Sequence, residues 1–297
     1  KYGDHTAVDH LSFHVEKGQI YGFLGPNGAG KSTTMNIMTG YIASTSGEVL
    51  IDGHNILEEP EAAKKCIGYL PEQPPLYFDM TVAEYLKFAA ELKKIPKNER
   101  ETQIEQVMEL TGITAMANRL IKNLSKGYKQ RVGLAQAILG YPEIIILDEP
   151  TVGLDPKQII EIRELIKKLS EEHTIILSSH ILSEVSAVCD YIMIINHGKL
   201  VASDTTENLM NHSLGSNTLE LTVKGEKQDV KNLLRGVEEI QKIEWKAEEN
   251  EKTVSMVITT EEKTDIREKL FYMMADAKMP ILNMQFTKVS LEDIFLE

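Results

Sequence analysis

The stretch "GPNGAGKST", Gly25 to Thr33, decides how the first part of this sequence folds. Gly25, Gly30, Lys31 and Ser32 have the spacing G-x-x-x-x-G-K-[ST], which is typical of a loop that wraps its backbone amides around phosphate groups. The other interpretation is a chance arrangement of common residues, and the flanking sequence argues against it.

The segments on either side of this loop are those that a phosphate loop requires. Apolar Ile20–Leu24 predicts a buried strand before the loop, and residues 31 to about 41 predict a helix after it. The first amides of a helix have no partner within the helix, so they attract anions. This order of elements therefore predicts an anion site where the helix begins.

Predicted strands and helices alternate along most of residues 1–212, apart from a mostly helical region at about 74–140. Because alternation is typical of a parallel sheet covered by helices on both faces, the sequence predicts an α/β fold. The predicted strands are 11–15, 20–24, 47–53, 67–70, 144–147 and 174–177. In the first of these strands, Leu11, Phe13 and Val15 alternate with polar residues. The other predicted helices are 82–94, 99–110, 126–139 and 156–170. Thr81 is the predicted N-cap of the helix at 82–94.

Beyond about residue 213 the predicted order becomes β-α-β-β-α-β, which is that of a ferredoxin-like unit. Its predicted strands are 218–223, 240–247, 253–259 and 281–287, and its helices are 228–235 and 265–277. We therefore expect two domains, 1–212 and 213–297. The second, which is acidic, is expected to be a regulatory or dimer-forming accessory domain.

The composition excludes several classes of protein. The 297 residues carry a net charge of −13, which argues against a nucleic-acid partner. The apolar stretches are far shorter than the roughly 18 to 20 residues that cross a bilayer. Cys66 and Cys189 lack the spacing of metal ligands, and we expect both to be free thiols in a reducing cytosol.

Two carboxylates follow a predicted buried strand in "IIILDEP", residues 144–150. Asp148 and Glu149 lie at the carboxyl end of that strand, where parallel sheets bind their ligands. Such a pair could also form a turn or a helix cap, but the phosphate loop favours catalysis. Asp148 would then hold Mg²⁺, directly or through water, and Glu149 would polarise the attacking water.

Three further stretches carry a resemblance to a known family. "LSKGYKQRVGLAQAILGYPEIIILDEPTVGLDP", Leu124 to Pro156, resembles the signature helix, Walker B strand and D-loop of an ATP-binding cassette (ABC) ATPase. Ser178–His180 resembles the segment with the switch histidine, and "KYG" at the start resembles the strand end whose aromatic residue stacks on adenine.

The resemblance covers residues 1 to about 212. It implies a P-loop NTPase fold with a mostly parallel sheet, an antiparallel β subdomain and a helical subdomain. The appended domain resembles that of the subgroup serving exporters and gliding-type membrane systems.

The resemblance also implies roles for individual residues, with ATP and Mg²⁺ as the ligands. Glu149 and His180 would be catalytic, and Lys31 would reach the β- and γ-phosphates. The nucleotide-binding set would be Tyr2, Gly25, Pro26, Asn27, Gly28, Ala29, Gly30, Lys31, Ser32, Thr33, Ser125, Gly127 and Asp155. The metal-binding set would be Ser32, Glu72, Gln73 and Asp148.

Cassettes of this family face each other head to tail, so that each completes the other's site. The resemblance implies that Ser125 and the amides near Gly127 meet the γ-phosphate held by the partner copy, and that Asp155 crosses the same interface. We expect a homodimer, or a pair with a related cassette, when ATP is bound.

The sequence departs from the family pattern at two places. The usual LSGGQ is LSKGY here, which retains Ser125 and Gly127. The usual Q-loop glutamine position after Pro71 holds Glu72, and glutamine follows as Gln73. Either residue could face Mg²⁺ and the membrane partner, and Glu72 is the preferred assignment.

The resemblance implies an ATP-hydrolysing subunit that drives separate membrane-spanning permease subunits from the cytoplasmic face of the membrane. The alternative is a soluble cassette that acts on ribosomes or chromosomes. Ribosomal types carry two cassettes in one chain and chromosomal types carry a long coiled coil, and this sequence has neither. A GTPase is disfavoured because the sequence lacks an NKxD-like base-reading motif.

Overall fold

The structure is a computed structural model that describes residues 1–213, 217–246, 253–260 and 264–287. Its contacts divide the chain into two units, Lys1–Thr206 and Glu207–Glu297. The division falls where a helix begins, at Thr206–Ser213, whereas the boundary expected from the sequence lies near the end of that helix.

A six-stranded sheet forms the centre of the first unit, all of which the structure describes. The strands of this unit are β1 (Ile20–Leu24), β2 (Leu50–Ile51), β3 (His54–Asn55), β4 (Ile67–Leu70), β5 (Ile144–Asp148), β6 (Thr174–Ser179), β7 (Tyr191–Asn196) and β8 (Lys199–Thr205). The sheet has the order β4-β5-β6-β1-β7-β8, and its neighbours are parallel except for antiparallel β7 and β8. The predicted strands β1, β4, β5 and β6 are confirmed.

The order of the central strands brings three loops to one edge of the sheet. In β5, Ile145, Ile146 and Leu147 are fully buried, as expected of a parallel strand covered on both faces. Because β6 lies between β5 and β1 with all three parallel, their carboxyl ends are adjacent. The loops that follow these three strands therefore meet at the same edge.

Helices cover this sheet and also build the region at 74–140. They are α1 (Lys31–Met38), α2 (Pro60–Lys65), α3 (Val82–Leu92), α4 (Arg100–Leu110), α5 (Lys126–Ile138), α6 (Pro156–Leu169) and α7 (Leu182–Ser186). The predicted cap of α3 is confirmed, since the Thr81 side chain accepts a hydrogen bond from the Glu84 amide and the Glu84 side chain accepts one from the Thr81 amide.

Two predicted strands near the amino terminus are corrected by the structure. Leu11, Phe13 and Val15 alternate in burial and pack on the core, but residues 11–16 belong to no strand. The strand predicted at 47–53 is reduced to β2, which pairs with β3. Both segments line a cavity of about 1100 Å³. Alternating burial requires an extended chain on an apolar surface, but a strand also requires a hydrogen-bonded neighbour, which residues 11–16 lack.

The second unit contains a four-stranded antiparallel sheet among its described residues. Its elements are α8 (Thr206–Ser213), β9 (Asn217–Lys224), α9 (Lys227–Leu234), β10 (Ile240–Trp245), β11 (Thr253–Thr260), α10 (Arg267–Asp276) and β12 (Ile281–Thr287). The sheet order is β10-β11-β9-β12, and from β9 to β12 the elements follow the predicted β-α-β-β-α-β sequence. Leu219, Leu221 and Ile258 lie in its core with residues from both α9 and α10.

We find no helix in the described parts of the chain with the length and apolar character needed to span a membrane.

Candidate active site

The glycine-rich loop runs from the end of β1 to the beginning of α1, as predicted. Gly30 is the N-cap of α1 with φ of 104°, a conformation that L side chains rarely adopt. A Cβ at Gly30 would lie 2.6 Å from the Ala7 carbonyl oxygen, and one at Gly25 would lie 2.4 Å from the Ile195 carbonyl oxygen. These contacts explain why both positions require glycine.

Lys31 is held inside this loop with only 5% of its surface exposed. Its Nζ donates a hydrogen bond of 2.6 Å to the carbonyl oxygen of Gly25. The same Nζ lies 3.4 Å from Oε1 of Glu149. The ammonium is therefore fixed between the phosphate loop and the end of β5, where it balances a buried carboxylate.

Glu149 follows β5 directly and carries an unusual backbone conformation. Its φ is 48°, which costs a non-glycine residue roughly 1–2 kcal/mol. Its amide donates to Ser178 Oγ at 2.9 Å, and that hydroxyl donates to Asp148 Oδ1 at 2.5 Å. Ser178 thus bridges the two neighbouring acidic residues and holds the left-handed turn between them.

His180 lies at the end of β6 with 39% of its side chain exposed. Its Nδ1 is 3.0 Å from Glu149 Oε2. Glu149 therefore contacts a histidine through one carboxylate oxygen and a lysine through the other. A carboxylate fixed at both oxygens next to a phosphate loop is a candidate general base.

These groups surround a cleft of about 400 Å³. The predicted site residues that line it are Tyr2, Pro26, Asn27, Gly28, Gly30, Lys31, Ser32, Thr33, Glu72, Glu149 and His180. His5, Ala7 and Val152 also line the cleft, although the sequence analysis did not select them. Of the two alternatives for the Q-loop residue, Glu72 lines the cleft and Gln73 does not.

The remaining predicted residues do not line this cleft. Gly25 and Ala29 form the buried backbone of the loop, and Asp148 lies behind it, bound to Ser178. Ser125 and Asp155 are N-caps of α5 and α6, and each accepts a hydrogen bond from a backbone amide in its helix. The remaining residue, Gly127, lies against the end of the Gln158 side chain of α6, which would have to shift to admit a side chain at position 127.

Glu184 was not identified by the sequence analysis. This residue of α7 is 9% exposed, and its Oε2 accepts hydrogen bonds from Thr151 Oγ1 and Ser179 Oγ. In a sequence, an acidic residue four positions after a histidine is only weak evidence that the acidic residue belongs to a functional site. Only the folded chain shows that the carboxylate is buried behind the cleft.

Known proteins resemble this chain in sequence and in fold. The sequence pattern of the family described as "ABC transporter" matches residues 8–152. The bacitracin transport ATP-binding protein BcrA of Bacillus licheniformis is 44% identical over 202 residues, and the alignment covers 67% of this chain and 65% of BcrA. The chain therefore spans slightly less than two thirds of that relative.

Two further proteins extend the comparison. The uncharacterized ABC transporter ATP-binding protein YcbN of Bacillus subtilis (strain 168) is 34% identical over 300 residues, covering 100% of this chain and 93% of YcbN. The solved dimeric structure of the cassette MJ0796 in a post-hydrolysis state, bound to ADP and Pi, matches with a TM-score of 0.63 and 26% identity. That match covers 69% of this chain and 94% of the solved chain. The phosphate loop, the cleft and these relatives together show that the chain belongs to the family of ABC transporter ATP-binding proteins.

Proposed function

We propose that this chain hydrolyses ATP in the cleft between the phosphate loop and the ends of β5 and β6, and thereby drives membrane-spanning permease subunits. The proposal rests on one observation, which is that Lys31, Glu149 and His180 lie in contact in the folded chain. Glu149 lies 3.4 Å from the Lys31 ammonium and 3.0 Å from the His180 ring. These residues come from three separate segments of the chain, which argues for a shared chemical task.

We infer that Mg²⁺ is the metal bound near the phosphate loop. In the described residues, no group of three or more His, Cys, Asp or Glu side chains could hold a metal ion. Mg²⁺ suits such a place because one or two protein oxygens and substrate phosphates are sufficient to bind it. We assign Ser32 and Glu72, which line the cleft, as oxygen donors, and the buried Asp148 to the same ion, directly or through water. When bound, the ion would neutralise charge on the β- and γ-phosphates.

The residues of the chain have distinct tasks in hydrolysis. Lys31 and the amides at the beginning of α1 bind the phosphates, which compete with Glu149 for the Lys31 ammonium. The oxygen of a water molecule attacks the γ-phosphorus while Glu149 takes a proton from that water. The bond from the γ-phosphorus to the bridging oxygen breaks, and ADP leaves with the electron pair. His180 holds Glu149 in orientation, and Tyr2 stacks on the adenine.

Ser125, Gly127 and Asp155 are assigned to the cleft of a partner copy. Within their own chain they lie outside the lining of the cleft, at the beginnings of α5 and α6. The dimeric arrangement of the MJ0796 cassette supports this assignment. We infer that two copies, or this chain and a related cassette, face each other head to tail when ATP is bound.

We assign the binding of the permease to the surface formed by the residues that follow Glu72 in the sequence. Tyr77 and Phe78 are 54% and 51% exposed there, and adjacent exposed aromatic residues are typical of protein interfaces. The chain would then lie on the cytoplasmic face of the membrane as a peripheral subunit. Residues 1–212 would carry the nucleotide chemistry and 213–297 an accessory role. The names of BcrA and YcbN favour transport over a ribosomal or chromosomal role.

Replacing Lys31 tests the proposed cleft. We expect Lys31→Ala to abolish phosphate release, because the bound phosphates lose their fixed positive charge. Lys167→Ala, at an exposed position in the last turn of α6, is the matched control and should keep the wild-type rate. Calorimetry measures the binding of Mg²⁺-ATP, and a phosphate-release assay measures turnover. Undiminished turnover in Lys31→Ala would refute the assignment.

A further inference from the structure

One carboxylate oxygen links the segment after β5, which carries Glu149, to the end of β6, next to His180. Oε2 of Glu184 accepts hydrogen bonds from Thr151 Oγ1 and from Ser179 Oγ, the second at 3.3 Å. Thr151 and Ser179 are both buried. The two hydroxyl groups come from different strand ends, so the carboxylate is a direct link between them.

The linked residues stand next to the groups assigned to hydrolysis. Thr151 follows Glu149 by two residues after β5, and Ser179 immediately precedes His180 at the end of β6. Ser179 Oγ also accepts a hydrogen bond of 3.1 Å from the Ile181 amide, which fixes the backbone on the far side of His180. Movement of either loop would therefore change the contact between His180 and Glu149.

We propose that Glu184 is a positioning residue for ATP hydrolysis, which sets the separation of Glu149 and His180 by holding Thr151 and Ser179 on one oxygen. This inference rests on the proposed roles of Glu149 and His180. Glu184 does not line the cleft, so it acts through its two hydroxyl partners and not on the nucleotide. Its loss should lower kcat and leave the affinity for ATP nearly unchanged.

Two substitutions at Glu184 separate hydrogen bonding from packing. Glu184→Gln retains an oxygen that can accept from both hydroxyl groups, whereas Glu184→Leu removes the acceptor at similar volume. We expect Glu184→Leu to lower kcat about tenfold or more, with the Kd for Mg²⁺-ATP within about threefold of wild type. Glu184→Gln should keep at least about half of the wild-type kcat.

A second pair of variants keeps the test valid if Glu184→Leu does not fold. Thr151→Val removes one of the two hydroxyl groups, and we expect it to lower kcat about fivefold. Thr111→Val is the matched control, because Thr111 is fully buried in the helical region and its hydroxyl donates only to the Val107 carbonyl. Thr111→Val should reduce thermal stability without lowering kcat.

The outcomes separate the inference from the proposed function. A kcat for Thr151→Val equal to that of Thr111→Val, or a Glu184→Gln variant as slow as a folded Glu184→Leu, would overturn the role of Glu184. Full activity of Lys31→Ala would instead overturn the assigned cleft itself. Loss of kcat in Thr151→Val, with rescue in Glu184→Gln, supports the positioning role.

Discussion

At the scale of single residues, the backbone of Glu149 is the feature most closely tied to chemistry. Its positive φ is unfavourable for a side chain of this kind, and the Ser178 hydroxyl helps to hold it by accepting from the Glu149 amide. The turn directs the carboxylate toward Lys31 and His180. The backbone strain is thus located at the residue assigned as the general base.

Replacing Glu149 by glutamine tests this assignment. Glu149→Gln keeps the shape of the side chain but cannot accept a proton as a carboxylate does, so phosphate release should fall by about 100-fold or more. ATP should bind with at least wild-type affinity, since Lys31 loses its competing partner. Single-turnover measurements check both expectations. Glu171→Gln, at an exposed position, is the control and should keep the wild-type rate. Wild-type turnover in Glu149→Gln would show that Glu149 has no part in the mechanism.

At the scale of elements, a lysine joins the ends of two helices in the helical region. Lys93, the C-cap residue of α3, donates from its Nζ to the carbonyl oxygens of Ala137 at 2.9 Å and Leu139 at 2.6 Å. These carbonyl groups at the end of α5 have no partner within the helix, so the ammonium caps it. Burial lowers the pKa of Lys93 to about 8.

This pKa predicts a pH dependence of stability. Between pH 8 and the ordinary lysine pKa of 10.5, the unfolded chain binds more protons at this group than the folded chain does. The contribution of Lys93 to the free energy of unfolding therefore rises with pH in this window and is lost as pH falls through 8. Relative to Lys93→Met, wild type should gain about 2–3 kcal/mol between pH 7 and pH 10.

Urea unfolding at both pH values measures this difference. Lys87→Met is the matched control, because Lys87 is an exposed residue of the same helix. The control should show no comparable change with pH relative to wild type. A difference between wild type and Lys93→Met that stays constant from pH 7 to pH 10 would contradict the lowered pKa.

At the scale of the whole molecule, the cleft contains only part of the predicted site. Lys31, Glu149 and His180 line it, whereas Ser125 and Asp155 cap helices elsewhere in the same unit. The second unit has a core of its own, built from residues of α9, α10 and its sheet. These facts favour a site completed by another cassette.

Trapping ATP should therefore join two copies. In Glu149→Gln with ATP and Mg²⁺, the chain should shift from monomer toward dimer, because unhydrolysed nucleotide would lie between Lys31 of one copy and Ser125 of the other. Light scattering after size exclusion measures the shift. Adding Ser125→Arg should abolish it, while Thr102→Arg, at an exposed position on α4, should not. Equal dimer content in both double variants would contradict the head-to-tail arrangement.

Local patterns in the sequence were sufficient to predict many elements. The G-x-x-x-x-G-K-[ST] spacing, the run Ile144–Leu147 and the Thr81 cap each depend on neighbouring residues, so β1, α1, β5 and α3 could be predicted without the fold. The β-α-β-β-α-β order of the second unit was predictable for the same reason. The roles of Glu149 and His180 were suggested by position at strand ends and by family resemblance.

Contacts between distant segments could not be predicted in the same way. Residues 11–16 have the alternation of a strand, but pairing depends on a neighbour that only the folded chain can supply. The Ser178 bridge to Asp148 and the Glu184 link to Thr151 join residues about 30 positions apart. Sequence alone thus determined elements such as β1, α1, β5, α3 and the phosphate loop, because these follow from local periodicity and turn chemistry. Tertiary structure decided which side chains hold Glu149 and His180 together, because those hydrogen bonds exist only once β5, β6 and α7 are packed side by side.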